Sequence, residues 1–79
     1  MELTPAQCRA ARALVDLSRE ALAGTAKVAV RTISDFEAGR REPINATKAA
    51  IRRALEEAGV QFLEEGSAAG GPGVALKAG

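Results

Sequence analysis

The strongest constraint on the fold is a series of local signals that start and stop short helices. The first group lies in the opening residues, where Thr4, Pro5 and Gln7 match the capping-box pattern. In this pattern threonine caps the helix, proline takes its first position and glutamine bonds back to the cap. We therefore predict a first helix from Thr4 to near Asp16. Its inward stripe at helical spacing comprises Cys8, Ala11, Leu14 and Val15.

The same kinds of signal predict three further helices. Ser18 is an N-cap residue before a short helix, and a turn near residues 25–28 separates that helix from a third one at 29–38. Gly39 ends the third helix as a left-handed cap. Asn45 is expected to cap the fourth helix, and Gly59 ends it.

The last 20 residues have a different character. Residues 60–64 and 74–77 alternate loosely between apolar and polar, and the glycines between them indicate a loop. Two interpretations remain open, a frayed glycine-rich tail and a two-stranded ribbon. An isolated hairpin is marginal in water, so a ribbon would need support from the helices or from a second chain.

Composition excludes several classes of function. One cysteine cannot form an internal disulfide, and a chain without histidine lacks the usual zinc ligands and the usual general base. We expect no metal, no cofactor and no enzymatic activity. The sequence has neither a transmembrane span nor a signal peptide, so we expect a cytoplasmic protein. A net charge of +1 does not by itself indicate nucleic acid.

Three segments carry a resemblance to a known family, "ARALVDLSREALA", "AKVAVRTISDFEAGRREP" and "ATKAAIRRALEEAG". They resemble the Xre family of helix-turn-helix DNA-binding domains, the group of the phage lambda repressor and Cro. The most specific matches are Leu17, Ser18, Leu22, Ala23, Ala26, Val28, Thr32, Ile33, Phe36, Glu37, Gly39 and Pro43.

The resemblance implies a mainly α fold, a compact four- to five-helix lambda-repressor-like domain with a short C-terminal β-ribbon or extended tail. We assign residues 1–59 to the DNA-binding domain and 60–79 to the extension. The third helix would enter the major groove, where an α-helix fits.

Four candidate base-reading residues face outward on this helix, and a fifth, Val30, is expected to turn inward or toward the seam with the core: Ala29, Arg31, Ser34 and Asp35, with Val30. Arg31 is the strongest candidate, because a guanidinium can bond guanine O6 and N7 together. Its alternative role is a phosphate or solvent contact. Ala29 and Val30 offer methyl groups to thymine.

Candidate phosphate contacts flank that face, at Arg19, Lys27, Thr32, Arg40 and Arg41. The chain departs from the family pattern at two positions, with Lys27 in place of a turn glycine and Ala29 in place of a capping serine. Both departures are expected to cost stability. The remaining basic residues are predicted to form a solvated face: Arg9, Lys48, Arg52 and Arg53.

The two carboxylates of the third helix require separate explanations. The family pattern places Arg12 opposite Glu37, which predicts an internal ion pair. Asp35 is predicted to face outward, where it either accepts a bond from cytosine N4 or pairs with Arg31 one turn earlier.

These observations favour a sequence-specific transcriptional regulator that binds a short palindrome in double-stranded DNA as a homodimer. The family that it resembles includes repressors. The expected dimer device is the tail, through Val60, Phe62, Val74 and Leu76. The alternative is an antitoxin or adaptor whose tail binds another protein.

Overall fold

The structure is a computed structural model that describes residues 3–63 and 73–77. Within these residues the chain is mostly helical and ends in a short antiparallel sheet, which confirms the mainly α class. The elements in chain order are α1 (Pro5–Val15), α2 (Arg19–Ala26), α3 (Val30–Glu37), α4 (Asn45–Glu57), β1 (Val60–Leu63) and β2 (Gly73–Leu76).

Helix α1 begins with the predicted capping box. The Gln7 amide donates to Thr4 Oγ1 at 3.1 Å, and the Thr4 amide donates to Gln7 Oε1 at 3.0 Å. Cys8 and Ala11 are buried, but the prediction that Leu14 faces inward is wrong, since it is 41% exposed. At 100° per residue Leu14 lies about 60° beyond Ala11, on the flank of the buried stripe.

Helices α2 and α3 are separated by a three-residue turn. Ser18 caps α2 as predicted, its Oγ accepting from the Ala21 amide at 3.0 Å. Lys27 ends α2 with a left-handed φ of 60°, the strained conformation expected where glycine is missing. Ala29 occupies the N-cap of α3 and makes no side-chain cap bond.

Helix α4 starts at the residue that was predicted to cap it, so its N-cap lies one residue earlier than expected. Ile44 is its N-cap and Asn45 is already helical, with no side-chain cap hydrogen bond. Because Asn45 has left the extended N-cap conformation, the prediction that it caps this helix is wrong. At the other end Gly59 follows the C-cap with a φ of 111°, as the predicted stop requires.

The C-terminal strands form the ribbon rather than a frayed tail. β1 and β2 pair antiparallel, with Val60 opposite Leu76 and Phe62 opposite Val74. β2 packs on α1, and β1 packs on α4 and α1, so the helices supply the support that an isolated hairpin lacks. The predicted glycine-rich loop, at residues 64–72, lies outside the described residues.

The core lies between the helices and the inner face of the ribbon. The alanine-rich α1 contributes only Cys8 to its largest fully buried side chains, and the others come from α2, α3, α4 and β1: Phe36, Leu22, Ile33, Ile51, Leu55, Val60 and Cys8. Across the part of the chain that the structure describes, no helix is long and apolar enough to span a membrane.

Candidate nucleic-acid interface

Helix α3 has one fully buried face and one open face. Ile33 and Phe36 are 0% exposed and pack in the core against α2 and α1. On the opposite side the Arg31 side chain is 88% exposed. Val30 lies on the flank, about 60° from Ile33, and is 41% exposed, so the prediction that it turns inward is wrong. A helix of eight residues with this polarity presents its N-terminal half to solvent while its inner face anchors it.

The predicted base-reading residues divide into two groups on this face. Ala29, Val30 and Arg31 are exposed, whereas Ser34 and Asp35 are only half-buried. The structure therefore brings the first three together at the open N-terminal end of α3.

The predicted phosphate-contacting cations lie around the same helix. Arg40 and Arg41 are exposed in the loop that follows α3, and Lys27 is exposed in the turn that precedes it. Arg19, at the first position of α2, has a side chain that is 51% exposed. Thr32 differs from them, since it is half-buried on α3 itself.

Behind this face, Glu37 forms the predicted ion pair with Arg12. Arg12 Nε lies 2.7 Å from Glu37 Oε2, and Arg12 Nη2 lies 2.8 Å from Oε1. This is the bidentate geometry in which a guanidinium and a carboxylate bind most strongly. The Arg12 Nη1 atom also donates to the Leu17 carbonyl at 3.1 Å. The pair thus ties α3 to α1 and to the start of α2.

Two further donors to Glu37 were missed by sequence reasoning. Cys8 Sγ donates to Oε2 at 3.1 Å, and Arg19 Nε donates to Oε1 at 3.2 Å. Arg9 of α1 donates to the main-chain carbonyl of Glu37. Helical spacing was the available signal, because Cys8 and Arg12 are four residues apart and so share one face of α1.

Burial and hydrogen bonds together shift the pKa values of the side chains in this cluster. Burial opposes ionisation of Glu37, but bonds from Arg12, Cys8 and Arg19 outweigh it and lower its pKa. The bond to Glu37 raises the pKa of Arg12 against the effect of burial. Burial first, and then the bond to Glu37, raise the pKa of the Cys8 thiol. Cys8 therefore stays protonated as a donor and packing residue, which disfavours nucleophilic reactivity.

Asp35 does not face outward as freely as predicted. Its side chain is 18% exposed and lies between two arginines. Its Oδ2 is 3.7 Å from Arg31 Nε, and its Oδ1 is 3.7 Å from Arg40 Nη1. The pairing with Arg31 was one of the predicted alternatives, whereas the approach of Arg40 was not foreseen.

Two residues predicted on a solvated basic face are structural instead. Lys48 is 4% exposed and forms an ion pair with Glu42. Arg52 pairs with Glu56 at 3.2 Å, and its guanidinium carbon lies 5.0 Å from the centre of the Phe62 ring. β1 packs on α4 and places Phe62 beside Arg52, while Glu42 pairs with Lys48, so this face is partly occupied in the fold. Arg9 and Arg53 are exposed, as predicted.

The residues assigned to dimerisation are also divided by the fold. Val60 is 0% and Phe62 is 8% exposed, so both side chains belong to the core of their own chain. The prediction that they present an apolar surface to a second copy is wrong, because the helices already cover that face of the ribbon. Val74 is half-buried, and Leu76 is 57% exposed.

Among the described residues, no group of three or more cysteine or acidic side chains is arranged to hold a metal ion. Comparison of the chain with models of known protein families, and with curated proteins, finds no match.

Proposed function

We propose that this chain is a sequence-specific regulator of transcription that binds double-stranded DNA as a homodimer, in the manner of the Xre family. The observation that carries the proposal is the α2–turn–α3 unit at residues 19–37. Its second helix buries Ile33 and Phe36 while its first turn exposes Val30 and Arg31. A helix held in this way can enter a major groove without loss of its packing.

In this proposal Arg31 bonds the edge of a base, and its neighbours Ala29 and Val30 contact thymine methyl groups. An 88% exposed guanidinium has the reach and the paired donors to bond guanine O6 and N7. The exposed methyl groups of Ala29 and Val30 suit apolar contact with thymine. Ser34 is half-buried, so it contacts a base only if α3 is tilted so that Ser34 approaches the floor of the groove.

Phosphate binding in this proposal comes from the cations around α3. Arg40 and Arg41 follow the helix, Lys27 precedes it, and Arg19 stands at the start of the helix that crosses the backbone. With a net charge of only +1, affinity depends on where these cations lie rather than on total charge. We expect strong salt dependence, because each phosphate contact releases counterions.

A homodimer follows from the small size of the contact surface. One eight-residue helix reaches few base pairs, and two copies about 34 Å apart double the contacts on one side of the duplex. Leu76 is 57% exposed and remains available for pairing between copies, while Val60 and Phe62 hold the ribbon from within. Replacing Leu76 with lysine is expected to shift the mass in sedimentation equilibrium to that of a monomer. Gln61→Lys, an equal charge change at an exposed position of β1, is the control.

Selection of random duplexes on the purified protein tests the function directly. We expect a palindromic consensus, with affinity that falls steeply between low and physiological salt. Arg31→Ala should relax the preference at one base position in each half-site by about five-fold or more. Arg53→Ala is the matched control, since it removes the same charge from an exposed site on α4. Weak, sequence-indifferent binding by the wild type at low salt would exclude the regulator.

An antitoxin or adaptor is the second candidate function. The exposure of Leu76 at 57% favours it, because an edge strand with an open apolar side chain can accept a strand from another protein. Absence of a DNA consensus, together with a wild-type monomer, would favour this candidate.

A further inference from the structure

The end of α3 folds the chain back so that Arg40 lies beside Asp35. The Arg40 amide donates to the Asp35 carbonyl at 2.9 Å, and the Gly39 amide donates to the Phe36 carbonyl at 3.0 Å. With Gly39 at a φ of 75°, these bonds form a Schellman motif. Arg40 is therefore held by the backbone at one particular turn of α3, the turn that carries Asp35.

Asp35 faces Arg40 on one side and Arg31 on the other. Each of its oxygens lies 3.7 Å from one guanidinium nitrogen, which is an ion-pair distance beyond that of a good hydrogen bond. The Arg31 side chain is 88% exposed and the Arg40 side chain is 74% exposed, whereas the Asp35 side chain is 18% exposed. The carboxylate is thus the fixed member, and both arginines can reach outward from it.

The nitrogen atoms used in these pairs decide what remains for a ligand. Arg31 comes closest to Asp35 through Nε, so its two terminal nitrogens are not the atoms nearest the carboxylate. A guanidinium with N–H donors left for a ligand can bond guanine O6 and N7 together. Arg40 comes closest through Nη1, and its guanidinium has further N–H donors that suit a phosphate.

We propose that Asp35 is a specificity-determining positioning residue, which orients Arg31 toward a base and couples that contact to the phosphate contact of Arg40. This inference rests on the proposed function. On the correct base, Arg31 binds guanine while its Nε faces Asp35, and Arg40 offsets the carboxylate near the backbone. On a wrong base the fork of Arg31 finds no pair of acceptors, and the carboxylate repels the DNA.

The first experiment compares Asp35→Asn with Glu57→Gln, which changes the net charge equally at an exposed position in the last turn of α4. Binding is measured on the selected consensus and on duplexes with each base substituted. We expect Asp35→Asn to bind non-specific DNA about three- to ten-fold more tightly than the wild type. Its preference for the consensus base should fall about five-fold at the same base position where Arg31→Ala loses preference. Glu57→Gln should leave the preference unchanged.

The position of the lost preference separates the proposal from its rivals. A loss at a different base pair would mean that Asp35 reads a base directly and would overturn the positioning role. If Asp35→Asn and Glu57→Gln bind DNA alike, Asp35 acts only through the net charge of the protein, and the positioning role is overturned. If the wild-type protein selects no consensus, the proposed function itself fails. This outcome differs from a failure of the positioning role because it is seen without any variant.

A double-mutant cycle tests the coupling to Arg40. In the wild type, Arg40→Ala removes a phosphate contact and also leaves the carboxylate less neutralised, so its loss of affinity should exceed that in the Asp35→Asn background by about three-fold. Arg41→Ala, the adjacent exposed arginine, should cost the same in both backgrounds. Equal effects of Arg40→Ala in the two backgrounds would refute the coupling.

A measurement on the free protein completes the test. The Arg31 Nε–H resonance in nitrogen-correlated NMR spectra should shift in Asp35→Asn and stay in place in Glu57→Gln, because Nε is the atom nearest the carboxylate. An unmoved resonance would overturn the orientation of Arg31 by Asp35. Unchanged thermal melting of Asp35→Asn confirms that any effect on DNA does not come from unfolding.

Discussion

Helix α3 carries two carboxylates, two residues apart, in opposite environments. The Glu37 side chain is 2% exposed and receives hydrogen bonds from Arg12, Arg19 and Cys8 at 2.7 to 3.2 Å. The Asp35 side chain is 18% exposed, and its two arginine partners lie at 3.7 Å with most of their surface in solvent. The same chemical group is saturated on one side of the helix and loosely paired on the other.

The difference shows how burial assigns a role to a charge. A buried carboxylate must be fully bonded, because an unpaired charge in a poorly solvated site is costly, so Glu37 is committed to the fold. Near the surface the solvent weakens each pair, so Arg31 and Arg40 can exchange Asp35 for another partner at little cost. The inner face of α3 therefore contributes stability, and the outer face is free to contribute binding.

The largest expected effect comes from removal of the inner carboxylate. Glu37→Ala leaves the guanidinium of Arg12, which is 18% exposed, without its partner, and we expect the free energy of unfolding to fall by about 3 kcal/mol. Urea denaturation followed by circular dichroism measures this loss. Glu57→Ala, at an exposed site, should change it by less than about 0.5 kcal/mol. Equal midpoints for Glu37→Ala and the wild type would contradict the assigned role of the inner face.

Acid should weaken the same cluster by a smaller amount. The pKa of Glu37 is lowered in the folded protein, so below about pH 4.5 the unfolded chain takes up the proton first and stability falls as the pH decreases. The stabilisation is complete at neutral pH and is lost as the pH passes through the folded pKa. Protonation leaves the side chain in place, so the loss should be smaller than that of deletion.

Glu37→Gln is the reference for this measurement. The free-energy difference between wild type and Glu37→Gln, followed by denaturation from pH 7 to pH 2.5, should shrink toward acid. A difference that is constant over this range would show that ionisation of Glu37 contributes nothing.

The next effect concerns the missing cap at the start of α3. Ala29 has the extended conformation of an N-cap but no side-chain oxygen, so Ala29→Ser is expected to stabilise the protein by about 1 kcal/mol. For a domain of this size the melting temperature should rise by about 4 to 8 °C. Ala38→Ser, at the exposed C-cap of the same helix, is the control and should gain nothing. No rise for Ala29→Ser would mean that the bond from the Thr32 amide to the Ala29 carbonyl, at 3.0 Å, already satisfies the first turn.

The smallest expected effect is on the outer carboxylate. Asp35→Asn should change the free energy of unfolding by less than about 0.5 kcal/mol, because its two ion pairs are long and solvated. The measurement is the same denaturation series that is used for Glu37→Ala. A loss near that of Glu37→Ala would remove the contrast between the two faces.

Features that depend on neighbours along the chain were predictable. The capping box of Thr4 and Gln7, the cap at Ser18 and the glycine stops at Gly39 and Gly59 all appear as expected. Each involves hydrogen bonds or dihedral angles within a few residues, so the sequence contains the complete interaction. The exception is Asn45, where the helix starts one residue earlier and the side chain loses its cap position.

Longer-range features were only partly predictable. The Arg12–Glu37 pair followed from the family resemblance, but the bonds that Cys8 and Arg19 add to it did not. The position of Arg40 beside Asp35 follows from the Schellman motif, for which Gly39 was a visible signal. The contacts of Glu37 with α1 and α2 depend on the angle at which helices meet, which helical periodicity does not specify, whereas the position of Arg40 is set locally.

The sequence alone determined most helix boundaries of this protein, Asn45 being the exception, and the outward position of Arg31 on α3, because backbone capping and periodicity are local. The tertiary structure decided which polar and apolar side chains are covered. It buried Lys48, placed Val60 and Phe62 in the core and left Leu14 exposed. The physical reason is that burial is a property of two surfaces in contact, and the partner surface comes from a distant part of the chain.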